Sequence, residues 1–333
     1  MSTNLNTNPR ATRKKIVISE FIDPSAVAAL SEHFDVHADA SLVDQPVALN
    51  ALLADADALI VRNRTQVRAA LLDAAPRLSV VGRLGVGLDN IDLDACAQRN
   101  VSVFPATGAN ARAVAEYVLA TALMLLRGAY RCSMEVAAGK WPRAALSNGR
   151  EAAGSTLAVI GFGGIGQLVA QLARALGMQV VAYDPLQPAD AACWAATGAR
   201  RVTIDEAWRA ADVITLHVPL VDSTRNLLGA SQLAALKRHA IIVNTSRGGI
   251  VDEAALALAL REGRIGGAAL DVFDDEPLAA RSPLADAPNL ILTPHIAGLT
   301  MQSNERVSTL VAARVTEALL AQRDSHVTEG ISR

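Results

Sequence analysis

The segment that most restricts the fold is a glycine run, Gly161-Phe162-Gly163-Gly164-Ile165-Gly166, set between two kinds of secondary structure. Before it, Thr156-Leu157-Ala158-Val159-Ile160 is an apolar run of strand length. After it, residues 167–176 carry apolar side chains at helical spacing. A second strand candidate, Gln179-Val180-Val181-Ala182-Tyr183, ends on Asp184, 18 positions beyond Gly166. Glycine spacing alone is a weak signal, because glycine-rich turns occur in many folds. A strand entering the run, a helix leaving it and an acid closing the next strand together predict a dinucleotide-binding βαβ unit. In that unit Gly161 permits the tight turn, Gly163 lets the backbone approach the pyrophosphate, and Gly166 lets helix and strand pack closely. The helix N-terminus around Gly164 and Ile165 offers amide donors and positive dipole. Asp184 would accept hydrogen bonds from the ribose hydroxyls and repel a 2′-phosphate, so the expected cofactor is NAD rather than NADP.

The 333 residues allow two domains. From Lys15 onward, β-branched runs alternate with alanine-rich helical segments: Ile16-Val17-Ile18, residues 24–34, a strand near 34–37, Ala58-Leu59-Ile60-Val61, residues 67–74, and Ser79-Val80-Val81. This predicts a small parallel α/β domain before about residue 105. A long helix over 109–138 opens a larger doubly wound series, with further strands near 212–217, 240–245, 268–272 and 290–293. The final helix, 301–321, follows the last strand and has no sheet of its own.

Hydrophobic residues make up 51% of the chain, but aromatics only 3%. The longest apolar run, 117–126, is far short of the roughly 20 residues of a membrane span, so no membrane partner is expected. Lys and Arg total 31 against 33 Asp and Glu, a formal charge of -2, which disfavours nucleic acid. Three separated cysteines suggest neither a disulfide framework nor a metal site. Residues 1–14 read as a disordered tail without a secretory signal, and the cytoplasm is the expected compartment.

Three segments fall at expected strand ends, where ligands collect in open parallel sheets. They are Asn244-Thr245-Ser246-Arg247-Gly248-Gly249, residues 271–277 (Asp271 through Glu276 to Pro277), and Thr293-Pro294-His295-Ile296-Ala297-Gly298. Singly, Arg247, Glu276 and His295 are ordinary; in this order behind a dinucleotide fingerprint they are catalytic candidates. An alkoxide formed by hydride transfer needs a proton, and histidine is the side chain best poised to supply it. A guanidinium suits a planar carboxylate better than an ammonium does.

These segments, with Val61-Arg62-Asn63-Arg64-Thr65, residues 81–92, Gly139-Lys140-Trp141 and His217-Val218-Pro219-Leu220, resemble the D-isomer-specific 2-hydroxyacid dehydrogenases, most of all their phosphoglycerate-dehydrogenase-like branch. The resemblance runs from about Lys15 to Ala321. It implies two Rossmann-like or flavodoxin-like parallel-sheet domains, the NAD-binding domain (106–296) being inserted into a split substrate domain (15–105 and 297–333). It further implies that Arg247 binds the substrate carboxylate and polarises the keto oxygen, that His295 is the acid/base, and that Glu276 pairs with His295. Leu84 and Gly85 would cradle the substrate carboxylate, and Arg62 would contact substrate. Val218, Pro219 and Thr224 would border the cofactor, while Thr245, Ser246, Asp271 and Gly298 would lie at its nicotinamide half. His217 is as readily a strand-end histidine as a functional one. A homodimer is expected.

Arg62, Arg64 and Arg83, with Arg143, suggest a 2-hydroxy or 2-keto acid carrying a second anionic group at C3, such as phosphate, carboxylate or sulfonate. Residues 107–117 and 295–300, with Ala297-Gly298 where many relatives have Gly-Ala, are similar to a bacterial subgroup assigned to sulfolactate oxidation. The chain also stops soon after its closing helix, unlike the serine-regulated phosphoglycerate enzymes. Two other readings share the scaffold: an NAD(H)-sensing corepressor, and a formate-type enzyme, which would place glutamine at the position of Glu276.

Overall fold

The computed structural model describes residues 13–128 and 132–330, with side chains described to residue 322. Most of the tail expected over 1–14 therefore lies outside the described residues. Of its last two positions, Arg13 donates to the carbonyl of Ser31 at 2.9 Å and Lys14 to that of Leu319 at 2.8 Å.

The chain separates into two compact units, one formed by residues up to Asn110 together with those from Thr300, the other by Ala111–Leu299. The breaks expected from the sequence, near 105 and 296, lie within a few residues of these.

The first unit is a five-stranded parallel sheet of β1 (Lys15–Ile18), β2 (Asp35–Ala38), β3 (Ala58–Val61), β4 (Val80–Arg83) and β5 (Ser102–Pro105), in the order β2-β1-β3-β4-β5. Alternate residues of each strand feed opposite faces. Ile16, Ile18, Ile60 and Val80 pack with Val307, Val311, Val315 and Leu319 of the terminal helix (Met301–Gly330), whereas Val17, Leu59, Val61 and Val81 pack with Leu49, Leu53 and Leu72. Burial of both faces explains why these strands read as continuous apolar runs. It also gives the last helix its partner: it covers one face of the first sheet.

The second unit holds seven parallel strands: β6 (Thr156–Ile160), β7 (Gln179–Tyr183), β8 (Arg200–Arg201), β9 (Val213–Leu216), β10 (Ile241–Asn244), β11 (Gly267–Leu270) and β12 (Leu290–Leu292). Their order is β12-β11-β10-β9-β6-β7-β8, so the winding reverses between β6 and β9. In doubly wound sheets that crevice, at the carboxyl ends of the strands, is where ligands bind.

One expected element is corrected. The helix read over 109–138 ends at Arg127, because Gly128 takes the left-handed φ of 63° that stops a helix. A separate short helix covers Ser133–Ala137, and residues 129–131 lie outside the described residues.

Gly82 fixes how closely β4 meets the terminal helix. A Cβ there would lie 2.6 Å from Val311 Cγ1 and 2.8 Å from Val315 Cγ2. Gly82→Ala is expected to destabilise the protein by about 1–3 kcal/mol through overpacking. A fall in the urea midpoint at constant m-value would show this, and an unmoved midpoint would contradict it.

Candidate active site

All the strands of the second unit run in one direction, so the residues following β6, β7, β9, β10, β11 and β12 gather along one edge. At β6 the glycine turn takes the strained geometry expected of it. Gly161 has a φ of 89°, and a Cβ there would lie 2.3 Å from the His217 carbonyl oxygen. A Cβ on Gly166 would lie 2.3 Å from the Gly161 carbonyl oxygen. At Gly163 and Gly164 a Cβ would meet nothing within 4 Å, which leaves open space in front of the backbone at the start of the helix Gly164–Ala175. Beside the turn, Asp184 accepts from the backbone N–H of Phe162 at 2.7 Å and of Leu186 at 2.8 Å. A carboxylate oxygen has two lone pairs, so Asp184 retains capacity for ribose hydroxyls.

The rest of the edge suits a dinucleotide. Val218 packs against the core beside Gly161, and the Thr224 hydroxyl donates to the Pro219 carbonyl at 2.6 Å, closing that loop. After β10, Ser246 Oγ donates to the Leu216 carbonyl at 2.5 Å. Thr245 Oγ1 is buried with no hydrogen-bond partner among the described residues, the kind of orphaned atom that a bound cofactor can satisfy. An open glycine cradle, a ribose-height acid and an orphaned hydroxyl thus fit NAD.

The three catalytic candidates follow the adjacent strands β10, β11 and β12. Arg247 is half-buried, with Nη1 donating to the Ser246 carbonyl at 2.5 Å. Its loop is pinned to the next one: a Cβ on Gly248 would lie 1.9 Å from the Phe273 carbonyl oxygen, and Gly249 N–H donates to Asp274 at 2.5 Å. Glu276 turns one oxygen toward the backbone N–H of Phe273, at 3.2 Å, and the other toward His295 Nδ1, at 2.8 Å. The carboxylate thereby fixes the ring and leaves Nε2 as the nitrogen for a substrate proton.

His295 has a φ of 55°, unusual for a residue with a side chain. The loop is held in that shape by Asp271, only 1% exposed. Its Oδ1 accepts from Ile296 N–H at 2.8 Å and from Thr293 Oγ1 at 2.6 Å, and its Oδ2 accepts from Ala297 N–H at 2.7 Å. Tyr117, on the helix Ala111–Arg127, shares a 2.5 Å hydrogen bond with Thr293. Gly298 lies in the turn closed by Leu299 N–H to the Ile296 carbonyl, 2.8 Å. Asp271, expected at the nicotinamide half, anchors the histidine loop, and Tyr117, which the sequence shows only as the start of the apolar run 117–126, supports it through Thr293.

In the first unit, Leu84 is 2% exposed and donates its N–H to the Val61 carbonyl at 2.8 Å. Beside Gly85, Arg83 Nη1 lies 1.4 Å from where a Cβ would be, so a side chain there would have to displace the Arg83 guanidinium. Arg64, suspected of facing a ligand, is ion-paired with Asp44 on the surface, and Arg143 is exposed. Arg62 is different: it is half-buried and held by uncharged groups, as described below.

A glycine-turn dinucleotide cradle sharing one sheet edge with an arginine and a carboxylate-held histidine defines a nicotinamide-dependent dehydrogenase. Residues 119–297 match the family model described as D-isomer specific 2-hydroxyacid dehydrogenase, NAD binding domain. The chain is 51% identical over 304 residues to an (S)-sulfolactate dehydrogenase of Chromohalobacter salexigens, a match covering 91% of this chain and 98% of that protein. It is 38% identical to the D-3-phosphoglycerate dehydrogenase of Methanocaldococcus jannaschii, covering 94% of this chain but only 59% of that longer protein. The solved glyoxylate reductase of Paecilomyes thermophila superposes with a TM-score of 0.81 at 28% identity, over 92% of this chain and 95% of that one. The chain belongs to the D-isomer-specific 2-hydroxyacid dehydrogenase family. It is an NAD-dependent oxidoreductase acting on a small hydroxy acid.

His217 gives the cofactor edge a pH signature. Its Nε2 shares a 2.9 Å hydrogen bond with the buried Thr215 hydroxyl, and burial pulls its pKa from 6.5 down to about 4. The unfolded chain takes up this proton near pH 6.5, the folded chain only near 4, so stability is complete above pH 6.5 and is lost as the pH falls toward 4. The slope in that window is up to about 1.4 kcal/mol per pH unit. Urea unfolding of His217→Gln between pH 7 and 5 should show a shallower loss than the wild type; equal slopes would show that His217 carries none of it.

Proposed function

We propose that this chain is a dehydrogenase for a three-carbon 2-hydroxy acid with a second anionic group at C3, and that sulfolactate is its foremost substrate, ahead of 3-phosphoglycerate. The observation that carries the C3 anion is Arg62, a half-buried guanidinium fixed by neutral acceptors rather than by a carboxylate. The 51% identity to a sulfolactate dehydrogenase along nearly its whole length favours the sulfonate.

NAD, which the Gly161–Gly166 turn and Asp184 would hold, would supply the acceptor for the hydride leaving C2 of the hydroxy acid. His295 Nε2 takes the C2 hydroxyl proton, and Glu276 at Nδ1 balances the imidazolium charge that results. Arg247 binds the C1 carboxylate and the C2 oxygen through its forked donors. In the reducing direction the same histidine returns the proton to the C2 oxygen. Arg62 receives the C3 group; Leu84 and Gly85 border the C1 carboxylate, their own N–H groups donating to the Val61 and Arg83 carbonyls at 2.8 Å each. A homodimer is part of the proposal, supported by the exposed Leu123, Met124, Met134, Val136 and Trp141 on the second unit. A cytoplasmic setting is part of the proposal and agrees with three cysteines, Cys96, Cys132 and Cys193, far apart in the chain and odd in number. Among the described residues no helix is long and apolar enough to cross a membrane.

Steady-state reduction of sulfopyruvate, 3-phosphohydroxypyruvate, oxaloacetate, hydroxypyruvate and pyruvate by NADH tests this reading. Sulfopyruvate should give the highest kcat/KM; a preference for pyruvate or hydroxypyruvate would refute the C3 anion. Beside the wild type, His295→Gln should lose about 100- to 10,000-fold in turnover while still binding NADH, as removal of a general acid predicts. Retained turnover would remove His295 from the mechanism.

A further inference from the structure

Arg62 is the first residue after β3, in the loop Arg62-Asn63-Arg64-Thr65. Glu20, just beyond β1 and 6% exposed, gathers that loop. Its Oε1 accepts from the backbone N–H of Arg62 at 2.8 Å and of Thr65 at 3.0 Å, and its Oε2 accepts from Arg64 at 3.1 Å and Asn63 at 3.3 Å. The loop carbonyls are held too: Asn90 Nδ2 donates to those of Thr65 at 2.8 Å and Arg62 at 3.3 Å. Backbone rigidity therefore sets where the Arg62 side chain begins.

The head of that side chain is set by other groups. Nη2 donates to Asn304 Oδ1 on the terminal helix at 2.6 Å, Nη1 makes a long 3.5 Å contact with the Phe21 carbonyl, and the guanidinium carbon lies 5.7 Å from the centre of the Phe21 ring. Among the described residues no carboxylate forms an ion pair with Arg62, since the nearby Glu20 is committed to four amides. By contrast Arg64, Arg77 and Arg99 of the same unit are paired with Asp44, Asp57 and Asp73. Burial pulls the Arg62 pKa down and the charge of Glu20 pulls it back up, so the guanidinium is partly dehydrated yet not neutralised by contact.

From this geometry we infer that Asn304 is a positioning residue that sets substrate selectivity: as a neutral acceptor it aims the Arg62 guanidinium while leaving its charge for the C3 anion of the substrate. Had this position been aspartate, the hydrogen bond would survive but the guanidinium would already hold its anion, and a C3 sulfonate or phosphate would meet a repelling carboxylate. The inference rests on the C3-anion reading above, and the test separates the two.

The test compares reduction of sulfopyruvate and pyruvate by wild type, Asn304→Asp and Asn304→Ser, with NADH binding as the check on folding. Asn304→Asp should lower kcat/KM for sulfopyruvate by about tenfold or more, mostly through KM, while pyruvate changes by less than about twofold. Asn304→Ser, neutral but shorter, should show a smaller loss of the same selectivity, and it decides the matter alone if the aspartate variant does not fold. A purely structural Asn304 would leave Asn304→Asp like wild type, or lower both substrates in parallel; either result overturns the inference while the substrate reading stands. A wild type without preference for sulfopyruvate overturns both.

Discussion

The catalytic edge depends on a carboxylate out of reach of solvent. Asp271 is buried at the end of β11, and its two oxygens accept two backbone N–H groups and one hydroxyl from the loop carrying His295. An unpaired buried carboxylate would be very costly, so the loop and the acid stabilise each other: neither is acceptable without the other. This mutual satisfaction holds His295 at a φ of 55°, where a residue with a side chain stays only if its surroundings over-determine it. Glu20 repeats the device in the first unit, with four backbone donors and a different loop. In each unit, then, a buried acid next to a strand end converts a flexible connection into a rigid mount for one candidate site residue, His295 or Arg62.

Cofactor binding depends on a different constraint, close approach of backbone to backbone. Gly161 lies against the His217 carbonyl and Gly166 against the Gly161 carbonyl, so β6, β9 and the helix after the turn come nearer than any side chain allows. Close packing there and empty space in front of Gly163 and Gly164 follow from the same choice of residue. His217 belongs to this arrangement through its backbone first. Its ring, bonded to Thr215 and kept neutral by burial, is a polar group at the edge of the core.

What was legible in the sequence is what contiguous residues encode. The glycine turn, the strand-end acid Asp184 and the Arg247, Glu276 and His295 segments each announce themselves within a few positions, because a parallel sheet places chemistry directly after a buried apolar strand. The two-residue β8 was not legible, since Arg200 and Arg201 are an exposed polar edge with no apolar pattern. The helix expected to run to 138 failed for a local reason, Gly128, which the alanine-rich periodicity on its N-terminal side hid. The partners of Arg62 were invisible for a global one: Glu20 and Asn304 lie 42 and 242 positions from it in the chain. Nothing near Asn304 marks it, and only the folding of the terminal helix onto the first sheet brings its amide to the guanidinium.

That long-range contact also shows what the near-neutral total of -2 conceals. Arg64, Arg77 and Arg99 of the first unit are spent on aspartates, and the exposed pairs among them contribute little to stability. A cation serves recognition only if its charge is still available, and holding a long side chain still without a counter-charge requires neutral acceptors and apolar cover. Asn304, the Phe21 carbonyl and the Phe21 ring are groups of that kind. Partial burial then works in favour of selectivity, because a poorly hydrated guanidinium gains more from an arriving anion than one bathed in water. The count of arginines at the strand ends is therefore a poor guide to substrate charge; what each of them already touches is a better one.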